Sequence, residues 1–240
     1  MKIFIAGASG ATGRLLVAQL LKRDHEVKVL VRSNTNLSRK LENHKNLTVV
    51  YESILNLDTQ EMANLVHGYD AVVSCLGHNL SFSGIFGAPR ELVTEATRRL
   101  CDAIRVNNPV KPVKFILMNT TGNRNRDLNE QISFAERCVI GLIRLLLPPH
   151  RDNEKAADYL RTQIGQKDDR IEWVVVRPAL LIDELEVSDY NIHPSPTRSA
   201  IFGGGKTSRI NVGHLMADLI INGGLWKKWQ GKMPVIYNNI

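Results

Sequence analysis

The first fourteen residues restrict the fold of this chain more than any other segment. An apolar run at residues 2–6, KIFIA, leads directly into a turn with glycine at positions 7, 10 and 13, and apolar residues then recur at helical spacing through residues 13–24. In such a unit, backbone amides at the helix start approach a pyrophosphate, and the helix dipole favours its negative charge. We therefore predict a strand–turn–helix unit that binds a dinucleotide.

The residues of the turn have predicted roles. Gly7 permits the tight turn, Gly10 lets the phosphates come close, and Gly13 lets the helix pack against the strand. Two hydroxyl donors and the residue between them complete the predicted binding loop: Ser9, Ala11 and Thr12. A glycine-rich turn without a ligand is the alternative. The strand before the turn and the helix after it favour the binding interpretation.

Strand and helix patterns alternate along most of the chain. The predicted strands are continuous apolar runs, as expected where helices cover both faces of a parallel sheet. This order predicts an α/β fold with a Rossmann-type doubly wound parallel sheet. After Pro178 the pattern becomes loop-rich until a last helix and strand. We therefore expect a single NAD(P)-binding domain over residues 1–240, with the core at about 1–182 and a small C-terminal substrate lobe at about 183–240.

Composition argues against several classes of partner. The net charge is +7, but the basic residues are scattered and form no run, so we expect a solvated surface rather than a nucleic-acid site. The three cysteines have no zinc-like or disulfide-framework spacing, and no His, Asp and Glu cluster has metal-ligand spacing, so no metal is expected. The longest apolar stretch, CVIGLIRLLLPP, is too short to span a bilayer and contains Arg144. Without a signal-peptide pattern, we expect a cytoplasmic protein that does not associate with membranes.

The end of the second strand indicates which dinucleotide binds. An acidic residue there holds the ribose 2′-hydroxyl of NAD, whereas an arginine accommodates the 2′-phosphate of NADP. This chain has Arg32 and Ser33 at that point and no acid nearby. NADP is therefore predicted in preference to NAD. The alternative is that Arg32 is an ordinary surface residue at a strand end.

Four segments together resemble a known family. GASGATGR…LVRS, DAVVSCLG, FILMNTTG and VVVRPALL are similar in order and spacing to the atypical short-chain dehydrogenases/reductases. The resemblance is to the NmrA-like group, which includes flavin and biliverdin reductases, and it covers roughly residues 1–182.

The resemblance implies further cofactor contacts. Three groups would follow the fourth, fifth and sixth strands: Cys75, Leu76 and Gly77; Asn119 and Thr120; Pro178, Ala179 and Leu180. The Gly-Asp pair with which the family contacts adenine is replaced here by Glu52-Ser53 or Ser53-Ile54, so Ser53 and Ile54 are candidate adenine contacts.

The catalytic pattern of the family is altered. Active members use a Tyr-x-x-x-Lys pair, and none of the five tyrosines here has lysine four residues later. The histidines of flavin and biliverdin reductases are replaced by Asn153 and Leu180. Thr121, Asp152 and Asn153 remain as candidate catalytic residues. Alternatively, Asp152 or Asn153 caps its helix, and the Thr121 hydroxyl is satisfied by backbone.

Two functions are compatible with these residues. The first is an NADPH-dependent oxidoreductase that transfers hydride to a small planar acceptor such as a flavin or quinone, because solvent can deliver the proton when the tyrosine is missing. The second is a non-catalytic NmrA-like sensor that binds NADP and acts on a partner.

Overall fold

The computed structural model describes residues 1–32, 41, 43–78, 87–128 and 130–239. The strands in these residues are β1 (Lys2–Ala6), β2 (Glu26–Val31), β3 (Leu47–Tyr51), β4 (Ala71–Ser74), β5 (Val113–Met118), β6 (Ile171–Pro178), β7 (Leu180–Ile182), β8 (Tyr190–His193), β9 (Lys206–Ser208) and β10 (Val235–Asn238). The helices are α1 (Gly13–Leu21), α2 (Thr59–Val66), α3 (Leu92–Val106), α4 (Phe134–Leu146), α5 (Pro148–Tyr159), α6 (Arg209–Ile221) and α7 (Gly223–Trp229).

Eight of these strands form one sheet. Its order is β3-β2-β1-β4-β5-β6-β10-β8, and every pair is parallel except β10 with β8. The strand order reverses between β1 and β4, which is the switch point at which open α/β sheets bind ligands beyond the carboxyl ends of their strands. The predicted Rossmann-type doubly wound sheet is confirmed.

Successive side chains of each strand point to opposite faces of the sheet, and helices cover both faces. On β1, Ile3 and Ile5 are buried in the core against α1 and α6, whereas Phe4 is buried on the other face with residues of α2, α3 and α5. All of these strand residues are fully buried. Burial on both faces is the physical reason that the strand sequences are continuously apolar.

The C-terminal segment contributes to this same core. Helix α6 packs directly on α1, and a Cβ at Gly213 would lie 3.0 Å from the Leu16 amide nitrogen. Strand β10 joins the main sheet beside β6, while the short β7 and β9 pair with each other beside it. Residues 183–239 therefore complete the core and also extend over the carboxyl edge of the sheet.

Helices α4 and α5 follow β5 in direct succession. Helix α5 begins at Pro148, before the residue at which the sequence pattern indicates a helix start. Proline is well suited to the first helical turn, so the helix can include it. Helix α4 carries the longest apolar stretch, and within the described residues no helix combines the length and the apolarity that crossing a membrane requires. Asp152 and Asn153 consequently lie inside α5 and do not cap it, so the capping alternative is wrong.

Candidate functional site

The glycine-rich loop has the geometry that a close backbone approach requires. Gly7 adopts φ +82°, and a Cβ there would lie 2.6 Å from the carbonyl carbon of Cys75. A Cβ at Gly13 would lie 2.2 Å from the Gly7 oxygen. At Gly10 that same oxygen, at 3.3 Å, is the single close atom among the described residues, which otherwise leave the space beside Gly10 open. Gly7 and Gly13 hold the loop together, and Gly10 leaves room for a ligand.

The start of α1 offers unpaired donors. In the described part of the chain, the amides of Ala11, Thr12 and Gly13 have no backbone acceptor, and the buried Thr12 makes no side-chain cap. The first turn of α1 contains no acidic residue. An anion placed here would gain these hydrogen bonds and the favourable end of the helix dipole, so the loop fits a pyrophosphate.

A first cavity of about 480 Å³ opens beside this loop, at the carboxyl ends of β1, β2, β3 and β4. Nine predicted cofactor residues line it: Gly7, Ser9, Gly10, Arg32, Ser53, Ile54, Cys75, Leu76 and Gly77. The predicted loop residues Ala11, Thr12 and Gly13 follow directly after Gly10 in the chain. Ser33 lies outside the described residues. The cavity therefore brings together segments that follow four different strands.

Two charged residues are among the described lining of the first cavity. Among its described lining residues, Arg32 is the basic one and Glu52 the acidic one. The Glu52 carboxylate accepts hydrogen bonds from the Ser53 amide at 2.7 Å and the Asn56 side chain at 2.9 Å, which hold its pKa below the usual value. The Glu52 carboxylate thus stabilises the loop in which it lies. Arg32, at the end of β2, gives the first cavity a positive charge that suits a phosphate.

Cys75 contributes packing rather than reactivity. It follows β4 and lines the first cavity, where burial raises the pKa of its thiol to about 12. A thiol with so high a pKa is protonated at neutral pH and is a poor nucleophile. Its role at this position is to shape the cavity wall against Gly7.

A second cavity of about 480 Å³ lies further along the same edge, beyond β5 and β6. It includes four residues singled out from the sequence, Thr120, Thr121, Ala179 and Leu180. Apolar side chains of α4 and the loop before β9, among them Ile140, Ile143 and Ile201, form much of the remaining wall. Because the carboxyl ends of parallel strands share one edge, the second cavity follows the first in the direction of β5 and β6.

Thr121 brings a hydroxyl to the second cavity. Its amide donates to the Pro178 carbonyl at 3.0 Å, which joins the β5 loop to the end of β6. Within the described ranges the structure gives the Thr121 hydroxyl no hydrogen-bond partner. Asn119 is buried beside it, with its amide nitrogen 2.9 Å from the Asn153 carbonyl and its side-chain oxygen accepting from the Thr120 amide. The loop is thus fixed while the Thr121 hydroxyl stays available to a ligand.

Asp152 and Asn153 make structural contacts. The buried Asp152 carboxylate accepts from the amides of Val93 and Thr94, at 2.8 and 2.9 Å, and lies 2.7 Å from the His78 ring nitrogen. It therefore caps the first turn of α3 from a different helix. The Asn153 amide donates to the Pro149 carbonyl at 3.1 Å. Neither residue is among the described lining of the two cavities, and their catalytic roles stay predictions.

The second cavity also has lining residues outside the catalytic candidates. His150, which the sequence places near the start of a helix, lines it and lies 3.5 Å from a carboxylate oxygen of Glu154, and Arg209 and Tyr237 line it from α6 and β10. The four-residue spacing of His150 and Glu154 indicates a contact only when both lie on the helix, and the helix start at Pro148 shows that they do. Arg209 and Tyr237 are remote in sequence and offered no such signal.

The fold and the first cavity together define a dinucleotide-binding protein. A family model described as NAD(P)H-binding matches residues 7–222, and the chain belongs to this family. No curated protein matches the sequence. No group of three or more His, Cys, Asp or Glu side chains within the described ranges is arranged to hold a metal ion.

Solved structures of similar fold share little sequence with the chain. An oxidoreductase, ylbE, of Lactococcus lactis has a TM-score of 0.69 and 18% identity, covering 100% of this chain and 91% of that one. A short-chain dehydrogenase/reductase of Veillonella parvula in complex with NADP has a TM-score of 0.70 and 17% identity, covering 99% and 94%. A candidate NADH-flavin reductase of Streptococcus pneumoniae has a TM-score of 0.68 and 16% identity, covering 100% of both chains. At these identities the likeness concerns the fold.

Proposed function

We propose that this protein is an NADPH-dependent oxidoreductase of the atypical short-chain, NmrA-like type that reduces a small planar acceptor such as a flavin or quinone. The observation that carries the proposal is the pair of cavities along one sheet edge. The first cavity has the glycine loop and Arg32, and the second has the unpaired Thr121 hydroxyl in an apolar wall. A dinucleotide in the first cavity would extend its nicotinamide toward an acceptor in the second.

Separate groups of residues bind the dinucleotide and position the acceptor. When bound, the reduced nicotinamide supplies a hydride. The amides at the start of α1 hold the pyrophosphate, and Arg32 pairs with the 2′-phosphate. The loop at Asn119 fixes Thr121, which donates a hydrogen bond to an oxygen of the acceptor. The second cavity holds the acceptor near the nicotinamide, and positioning of this kind can supply several kcal/mol of the rate enhancement.

We expect Arg32→Ala to narrow the preference for NADPH over NADH by about 1–3 kcal/mol, the range of a charge-assisted hydrogen bond. Calorimetric titration with both nucleotides measures this difference. Arg170→Ala is the matched control, because it also removes one positive charge. Arg170 lies just before β6, at the amino ends of the parallel strands and so on the side opposite the two cavities. Equal affinities of the native protein for NADPH and NADH would refute the NADP assignment.

Thr121→Val should slow turnover by roughly tenfold to a hundredfold and leave NADPH affinity nearly unchanged, since it removes one hydroxyl with little change of shape. Steady-state kinetics and titration of NADPH measure the two effects. Thr97→Val is a suitable control, because Thr97 is buried in α3 and its hydroxyl is also unpaired among the described residues. A Thr121→Val protein with native turnover would remove the hydroxyl from the mechanism.

The direct test of the function is NADPH oxidation measured with a panel of flavins and quinones, alongside NADPH binding. Reduction of at least one planar acceptor supports the proposal. Tight NADPH binding without reduction of any acceptor would instead favour the sensor.

One observation favours that second candidate. Helix α4 exposes an apolar face formed by Phe134, Leu142, Leu145 and Leu146, with Phe134 79% and Leu145 80% exposed. Exposed apolar surface of this kind is typical of sites that contact another molecule. A sensor would signal nucleotide binding through such a surface, whereas the reductase does not require it.

A further inference from the structure

His150 is placed to act on a molecule in the second cavity. It is the third residue of α5, its side chain is 12% exposed, and it lines the cavity together with Thr121 and Gly122. A Cβ at Gly122 would lie 3.3 Å from Cε1 and 3.7 Å from Nδ1 of the His150 ring. The absence of a side chain at Gly122 therefore leaves space for the ring beside Thr121.

The opposite side of the ring faces a fixed negative charge. Nε2 of His150 lies 3.5 Å from Oε1 of Glu154, at ion-pair distance, and this buried nitrogen has no hydrogen-bond partner within the described residues. Arg144 of α4 binds both oxygens of the Glu154 carboxylate, with contacts of 2.6 to 2.9 Å. Although burial acts against ionisation, His150 and Arg144 hold the pKa of Glu154 down to about 2. Glu154 is thus a carboxylate at any physiological pH.

We propose that His150 is the proton donor to the acceptor, and that Glu154 and Arg144 are positioning residues that orient its ring. The inference rests on the proposed reductase function and specifies its acceptor class. A molecule reduced in the second cavity would carry a carbonyl oxygen that becomes a hydroxyl, as in a quinone.

The chemistry of this step balances. The acceptor gains a hydride from the dihydronicotinamide, whose C–H bond breaks and which is oxidised. The N–H bond of the His150 imidazolium breaks, and the proton forms an O–H bond on the reduced acceptor. Solvent then returns a proton to the neutral imidazole. A carboxylate that lies beside one ring nitrogen leaves the other nitrogen to exchange this proton.

Other ionisable groups also face this region. Arg209 lines the second cavity from α6 and pairs with Asp183 at 2.9 Å, and Tyr237 lines it from β10. Arg144 reaches Glu154 from α4. The His150 ring thus shares this region with the positively charged Arg209 and the negatively charged Glu154.

The first experiment measures which nitrogen of the His150 ring carries the proton, in the protein without cofactor. Nitrogen-15 spectra of the histidine side chains, assigned with a His150→Gln variant and recorded at a pH at which the ring is neutral, should show the remaining proton of His150 on Nε2, toward Glu154. In Glu154→Gln this preference should be lost, because an amide can accept or donate. Addition of a quinone to the wild-type protein should shift the His150 signals. An unchanged tautomer in Glu154→Gln would overturn the positioning role.

The second experiment measures quinone reduction against pH. In the wild-type protein the rate should fall as pH rises and the donor loses its proton. His150→Gln should lower the rate by about a hundredfold, at the lower end of general acid catalysis, and should abolish this pH dependence. NADPH affinity should stay native, which also checks the fold. His67→Gln, at the end of α2, is the matched control.

The outcomes separate the two proposals. If the wild-type protein reduces no acceptor, the reductase function fails and the inference with it. If it reduces quinones but His150→Gln keeps the native rate and pH profile, only the proton-donor inference is overturned.

Discussion

Replacing Arg177 with methionine should lower the free energy of unfolding by about 3–5 kcal/mol, because the substitution leaves a buried carboxylate without its partner. Arg177 and Glu130 form an ion pair whose side chains are 0% and 2% exposed, with the closest contact at 2.7 Å. The remaining guanidinium donors bind the carbonyls of Met233 and Asn123. Urea denaturation followed by circular dichroism measures the change.

A double variant tests the cause. Arg177→Met combined with Glu130→Leu removes both charges, so it should recover part of the lost stability. Recovery should be incomplete, since the carbonyls that Arg177 binds would lose a donor. A free energy of unfolding of the single Arg177→Met variant within about 1 kcal/mol of the native value would contradict the prediction. The pair also matters for the site, because it ties the loop after Thr121 to β6.

Gly10→Val should weaken NADPH binding by at least about a hundredfold, or 2.7 kcal/mol, while the fold persists. Among the described residues, the Gly7 oxygen at 3.3 Å is the one atom close to Gly10, so a valine side chain would occupy the position proposed for the pyrophosphate. Calorimetric titration and thermal unfolding measure the two quantities. Gly141→Val is the matched control, because the position is on exposed α4 and no atom of the described part of the chain lies within 4 Å of its Cβ position.

Gly13→Val should behave differently from Gly10→Val. A Cβ at Gly13 would overlap the Gly7 oxygen at 2.2 Å, so this variant should lose stability as well as binding. A Gly10→Val protein that still titrates normally with NADPH would exclude the glycine loop as the phosphate site.

The sequence was informative where one physical requirement acted on many consecutive residues. β1 was predicted with its observed bounds, residues 2–6, because burial on both faces makes it continuously apolar. The three short strands β7, β8 and β9 were not predicted. They have three or four residues each and carry polar side chains such as Asn191 and Lys206. They therefore lack the repeating pattern of apolar residues that indicates a strand.

Side-chain partners that are distant in sequence could not be predicted. Asp152 looked like a cap for its own helix, but it caps α3, and the choice depends on how two helices pack. The same limit applies to Arg177 and Glu130, which are 47 residues apart. The glycine loop was different, because all of its requirements lie within seven consecutive residues.

The contact between α1 and α6 makes dinucleotide binding a property of the whole chain. Gly213 allows the backbones of the two helices to approach closely, and residues such as Leu16 and Leu215 share one core. The nucleotide-binding segment is therefore not a transferable module that could be excised at residue 182 and fused elsewhere. Because a ligand stabilises every element that must be folded for it to bind, nucleotide held at the N-terminal loop would also suppress local opening of the C-terminal helix.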